Sequence, residues 1–436
     1  FFEQPAPEPE QFTLTVVLDV TEILVPSALQ AALTALVNHH DSLRLAYTQT
    51  NNGWDQHYGE PISDVAMIQV DVSSQAHPQQ TISDTIAQLQ TQLDLTTGDL
   101  VRAGLFNLGD RQQLGLVIHH LAVDALSWLT LIQDLETAYR QLSKGEISAL
   151  PLKTSSFRTW AEGLNEVSLS PSEIDYWLAQ TDDPVQFGSV PQTEASACKL
   201  SRQLSYDLTQ LFLQSARARP QAMLLTALAL AIGQYTEQST VQVALEGHGR
   251  EEAMVPNIRL VRTVGWFTSL FPVTFQLESV PSETLRSVKT TLQQVPQNGM
   301  GYGILRYLKQ ESMPAQPEIL FNYLGTLEQL LPTTSMFQFA QSLQVSRSPQ
   351  QRRAHPLEIG AFVTDGQLRI DWSYSSLDEA TVQALADGMV QYLQTLLEGP
   401  GGKATAADFP LAKLNSKKFD QLAALLNKTD RAGGKG

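Results

Sequence analysis

"LVIHHLAVDALSWLTL", residues 116–131, runs from an apolar β-type segment through two histidines and an aspartate into helical apolar spacing. The first half belongs to "VRAGLFNLGDRQQLGLVIHH" (101–120), which reads as strand, "LGDR" turn, strand. The second half opens "DALSWLTLIQDLETAYRQLSKG" (124–145), a predicted helix with Gly145 near its end. A strand that feeds a helix through ionisable residues is the organising unit here. It returns at "VALEGHGREE" (243–252), where an apolar strand again runs straight into charge.

Outward from these two points the same alternation recurs. "FTLTVVLDV" (12–20) is a predicted strand, and 26–47 a helix with Ser27 as N-cap leading into a second strand. Amphipathic helices are expected in 154–166 and 172–180. The polar, Pro-containing "DDPVQFGSVPQTEAS" (182–196) reads as the junction between two lobes, 1–181 and 197–402. Beyond it come two helices over 204–236, a strand at 241–247 and an irregular strand in 262–275. A helix over 282–295, a loop entering a helix at 296–308, and a buried strand at 318–327 follow. A hairpin at 358–375 and a helix at 378–399 complete the lobe. Strand–helix units in both halves predict an α/β layer for each. Residues 403–436 read as a linker and tail.

The chain has 436 residues, more than one core usually organises, and a net charge of -16. That acidity disfavours nucleic acid and anionic membranes as partners. No apolar run reaches the about 18 residues of a membrane span. Cys198 is the only cysteine, so intramolecular disulfides are excluded and a reducing cytoplasm fits. With no HExxH and no second cysteine, no metal site is expected. "GMGYG" (299–303) lacks the spacing of a phosphate loop, and no serine sits in a G-x-S-x-G elbow.

The histidines at 119–120 admit two readings, hydrogen-bonded core groups or an acid–base site. Adjacent strand residues face opposite sides, so only one can look into a given cleft. Asp124 can orient the loop, and as a buried carboxylate it needs a cation, for which Arg44 is the candidate. His39 and His40 read as a solvated or C-capping cluster. Glu246 ends an apolar strand. Desolvation there raises a carboxyl pKa and suits it to proton transfer near neutrality.

Taken in order, "HHLAVDALSW", "EGHGRE", "RTVGWFTSLFP", "PQNGMGYG" and "FNYLG" resemble the successive core motifs of epimerization domains of nonribosomal peptide synthetases. "HHDSLR" (39–44) and "LDLTTGDLVRAGLF" (93–106) resemble the wider condensation-like pattern. The resemblance covers residues 1–400. It implies two chloramphenicol-acetyltransferase-like α/β lobes in a V-shaped pseudo-dimer with a central tunnel. It implies His120 and Glu246 as the acid–base pair that removes and returns the α-hydrogen of an aminoacyl or peptidyl thioester. Asn322, Tyr323 and Ser127 are the expected enolate or substrate-positioning donors. His119, Asp124 and Arg44 are expected as structural groups, and Trp128, Gly247, Trp266 and Tyr302 as tunnel residues. No cofactor is expected to be bound intrinsically. The substrate arrives on the 4'-phosphopantetheine arm of an upstream peptidyl carrier domain, and a downstream condensation domain is a further expected partner. The family's glycine after the HHxxxD aspartate is Ala125 here. A peptide-bond-forming condensation domain and a silent docking domain share the fold and are the alternatives.

Overall fold

The computed structural model describes residues 1–2, 7–51, 53–180, 198–215, 219–314, 316–341, 343–348, 350–351 and 353–399. The first half supplies β1 (Thr13–Val20), β2 (Leu45–Thr50), β3 (Gly53–Tyr58), β4 (Ala66–Asp71), β5 (Val101–Asn107) and β6 (Gln112–His119). Its helices are α1 (Pro26–His39), α2 (Pro78–Gln90), α3 (Ser127–Leu142), α4 (Phe157–Asn165) and α5 (Pro171–Leu178). The second half supplies β7 (Cys198–Gln203), β8 (Thr240–Gly247), β9 (Ser269–Gln276), β10 (Ile319–Thr326), β11 (Phe337–Phe339), β12 (Gln344–Ser346), β13 (Leu357–Thr364) and β14 (Gln367–Tyr374). With these come α6 (Tyr206–Ser215), α7 (Pro220–Thr236), α8 (Pro281–Gln294), the single turn α9 (Met300–Gly303) and α10 (Glu379–Glu398).

The expected α/β pair of lobes is present, one six-stranded sheet in each. In the first, β1, β6 and β5 run antiparallel and β4 adds parallel to β5. Every residue of β6 is buried because it is a central strand covered on both faces. Leu14, Val16 and Leu18 of β1 face the core under α1 and α3, while Val17 faces the smaller core with Ile82 and Ile86 of α2. The second sheet has the order β7-β14-β13-β10-β8-β9, with β10 parallel to both neighbours. Leu245, Phe321 and Ile359 on its one face meet α7 and α10 in a single core. The nearly all-apolar α7 is buried on nearly every side, as its composition predicts.

Two features cross the expected division at 182–196, which itself lies outside the described residues, as does the expected tail 403–436. Trp177 of α5 is fully buried in the core of the second lobe. In the other direction, β11 and β12 leave the second half of the chain and pair antiparallel with β1. Each half therefore lends segments to the other, which holds the two sheets in a fixed relation around what lies between them.

Candidate functional site

β6 ends at His119, and His120 begins a short 3-10 turn, so the pair is not simply split across one pleat. His119 is fully buried. Its Nδ1 accepts from the Leu121 N–H (3.2 Å), so Nε2 carries the proton it donates to the Pro9 carbonyl (2.9 Å). Burial lowers its pKa to about 4. This is the structural group of the pair. His120 is half-buried, its ring stacked on Phe12 at 4.6 Å and tilted against Trp266 at 4.6 Å. Its Nδ1 is buried with no hydrogen-bond partner among the described residues. Burial again lowers the pKa to about 4, so this imidazole is a neutral base at pH 7.

Asp124 does not pair with Arg44. Arg250 of "EGHGRE" reaches across and donates to both carboxylate oxygens (Nη1–Oδ2 2.5 Å, Nη2–Oδ1 3.1 Å), then to Ser127 Oγ (3.0 Å) and the Thr263 carbonyl (3.1 Å). The N–H groups of Ser127 and Phe267 complete the shell of the aspartate. Arg44 is instead consumed at the end of α1, where it donates to the Val37 and Asn38 carbonyls and to Asp41. The reason is reach: Arg44, in the turn after α1, closes the last carbonyls of that helix, whereas Arg250 enters on a loop that Gly249 turns back towards the first lobe. Gly249 has φ +65°, and a Cβ there would overlap the Phe267 carbonyl oxygen. Gly249→Ala is expected to cost more than the about 1–2 kcal/mol of a left-handed alanine, read as a lowered Tm with loss of the Arg250 contact.

Of the two readings of 39–40, C-capping holds, since His40 is the C-cap of α1 with its N–H on the Leu36 carbonyl, and the solvated one is corrected by a second ion-paired contact between the halves. His40 is buried, not solvated, and bonds Asp134 Oδ2 at 3.0 Å, while Arg262 bonds the other carboxylate oxygen. His39, His40 and Asp134 are close enough to share a cation. The guanidinium already on Asp134 makes the cluster an ion pair instead.

Across the site, Glu246 closes β8. The register places Ala244 beside Leu320, and Leu320 beside Glu358. Strand alternation then puts Glu246, Asn322 and Glu358 on the sheet face away from α7 and α10. Asn322 Nδ2 donates to Glu246 Oε2 at 2.6 Å. Burial, and then the charge of Glu358, raise the Glu246 pKa to about 7, against a smaller opposing pull from Arg347. Tyr323, one residue on, points the other way: it packs against the second core and Phe212, and burial raises its pKa to about 12. Its expected place beside Asn322 is corrected by the pleat itself.

Three further expectations are revised. The Ser127 hydroxyl is committed to Asp124, Arg250 and Gly265, which leaves it no free donor for an enolate. Trp128 is 1% exposed inside the first core, and Tyr302 is fully buried against Trp177 with its hydroxyl on the Pro314 carbonyl. Both are packing residues, not tunnel lining, as their apolar settings could have indicated. Trp266 does stand at the site, against His120. Gly247 is half-buried; a Cβ there would press on Ser269 Oγ and the Asn298 carbonyl, at 2.5 and 2.7 Å. Ala125 is exposed and does not adopt positive φ, so its backbone makes no demand for glycine. Sequence reasoning missed Arg250 as the partner of Asp124, and gave no sign of Arg347 or Glu358.

The Condensation domain family matches residues 1–413, and the chain belongs to that family of nonribosomal peptide synthetase domains. Within it, the epimerization domain from the third module of tyrocidine synthetase B superposes with a TM-score of 0.79 at 31% identity, covering 90% of this chain and 92% of that one. The starter condensation domain of rhizomide synthetase, in complex with C8-CoA, superposes at 0.69 with 18% identity over 89% and 90%, a likeness of fold alone. One of the linear gramicidin synthase proteins of Brevibacillus parabrevis is 37% identical over 455 residues, 98% of this chain and 9% of that protein. Surfactin synthase subunit 1 of Bacillus subtilis (strain 168) is 32% identical over 456 residues, 97% of this chain and 12% of that protein. The chain thus spans about a tenth of the length of these relatives. Among its described residues no helix is long and apolar enough to cross a membrane.

Proposed function

We propose that this domain inverts the α-carbon of an aminoacyl or peptidyl thioester carried on the phosphopantetheine arm of a peptidyl carrier domain. The observation that carries the reading is geometric: His120, with an unpartnered Nδ1, stands against Phe12 and Trp266 at the end of one sheet, and Glu246 is held by Asn322 in the other. His120 is neutral at pH 7, and Glu246, held by Asn322, still carries its proton in part. One is a ready base and the other a ready acid, and they come from different sheets. The likeness to the epimerization domain of tyrocidine synthetase B supports the same reading.

The proton inventory closes. The thioester carbonyl acidifies the α C–H. The C–H electron pair becomes the enolate as the proton passes to the His120 imidazole. Glu246 delivers its proton to the opposite face, leaving an imidazolium and a carboxylate that exchange with solvent before the next turnover. The opposite inversion uses the tautomeric state with the same total of protons, so both directions share one pH profile. His120 must be unprotonated, so the rate falls as pH drops through about 4; Glu246 must be protonated, so it falls as pH rises through about 7. A bell between these limits is expected for kcat/KM.

The test is incubation with an aminoacyl-loaded carrier in D2O. Inversion yields α-deuterium and a D/L mixture with no second substrate. A requirement for an acceptor amine marks a condensation domain instead, and no reaction of any kind marks a docking platform.

A further inference from the structure

β12 lies against β1 with Ser346 opposite Thr13, so the next residue, Arg347, falls opposite Phe12. Its guanidinium sits over the Phe12 ring at 5.1 Å, and that ring is the one stacked on His120. The same guanidinium bonds Glu358 at 2.8 Å, on the sheet face that carries Glu246 and Asn322. The side chain therefore starts from a strand added to the first sheet and ends on the second, touching the surroundings of both members of the acid–base pair.

We propose that Arg347 is a positioning residue that supplies one fixed positive charge to His120 and Glu246 together, with Glu358 as its anchor. This rests on the acid–base reading above and deepens it. A cation favours the Glu246 carboxylate and disfavours the His120 imidazolium, so it draws the pKa of each down, in line with the direction of its effect on both. The other charges facing His120 are Asp124, which opposes this, and His119, which reinforces it. Glu358 is the other charge on Glu246 and opposes it. Glu358 also carries Arg353 at 2.6 Å and faces His355. Arg347→Gln therefore leaves Glu358 paired, and the variant is expected to fold.

Two readouts test it. In the deuterium-exchange pH profile, Arg347→Gln moves both limbs upward by about one unit, while Arg347→Lys, which keeps the charge, leaves them near the wild-type positions. An Arg347→Gln profile with unmoved limbs and a lower plateau identifies Arg347 as packing only and overturns the proposal. Independently of turnover, an NMR titration of the His120 imidazole in both proteins is expected to give a higher pKa in Arg347→Gln, and an unchanged value also overturns it. Wild type that titrates as expected yet exchanges no deuterium refutes the epimerase reading and leaves the charge coupling standing.

Discussion

Alanine at His120 is expected to slow α-deuterium incorporation by about 10²–10⁴-fold, the usual contribution of a positioned proton-transfer group. The imidazole is held between the Phe12 and Trp266 rings, and neither ring can take up a proton in its place. Glu246→Gln is the matching change on the other sheet. The glutamine carbonyl can still accept from Asn322, so packing survives while the transferable proton is lost. The two variants also differ in kind. In Glu246→Gln the remaining histidine removes a proton and returns it from the same side, so residual exchange is expected without inversion. Chiral analysis beside the isotope measurement separates the two, with circular dichroism to confirm folding. Full exchange and inversion in both variants would falsify the assignment of this pair.

Arg250→Ala is expected to destabilise the domain by about 3–5 kcal/mol, because it strands a buried aspartate without its cation. Asp124 is 3% exposed, and Arg250 gives it two of its hydrogen bonds while also holding Ser127 and the Thr263 carbonyl. At this size the loss corresponds to roughly 3–5 °C in Tm. Since Asp124 lies four residues past His120 and also binds the Phe267 N–H beside Trp266, exchange is expected to fall as well. Replacing Asp124 and Arg250 together with leucine removes both charges and is expected to recover much of the stability. Calorimetry on the two single variants and the double variant gives the coupling. An Arg250→Ala protein within about 1 kcal/mol of wild type, or single losses that simply add, would rule the clamp out.

Much of the frame was legible along the chain. The 116–131 stretch is the end of β6 and the start of α3, and the alternation in 12–20 and the apolar run of α7 became the elements expected of them. Glu246 was also legible, since a carboxyl at the end of an apolar strand has few ways to stay hydrated, and burial pushes its pKa up. The errors cluster where a side chain had to choose a distant partner. Arg44 and Arg250 are equal candidates for Asp124 on charge alone; the backbone turn at Gly249 makes the choice. Tyr323 stands next to Asn322 in the chain, yet the pleat sends it to the opposite face.

Local pattern alone determined the strand–helix units and the acidity that disfavours polyanions, because these follow from periodicity and composition, while the proposed acid–base pair was named only through the motif resemblance. Only the tertiary structure decided that β11 and β12 cross to the first sheet, that Arg250 and Arg347 become the cations of the site, and that Trp128 and Tyr302 are core. The physical reason is that burial and ion pairing depend on which surfaces meet. Partners separated by 126 residues, as Asp124 and Arg250 are, leave no local periodic trace of that meeting.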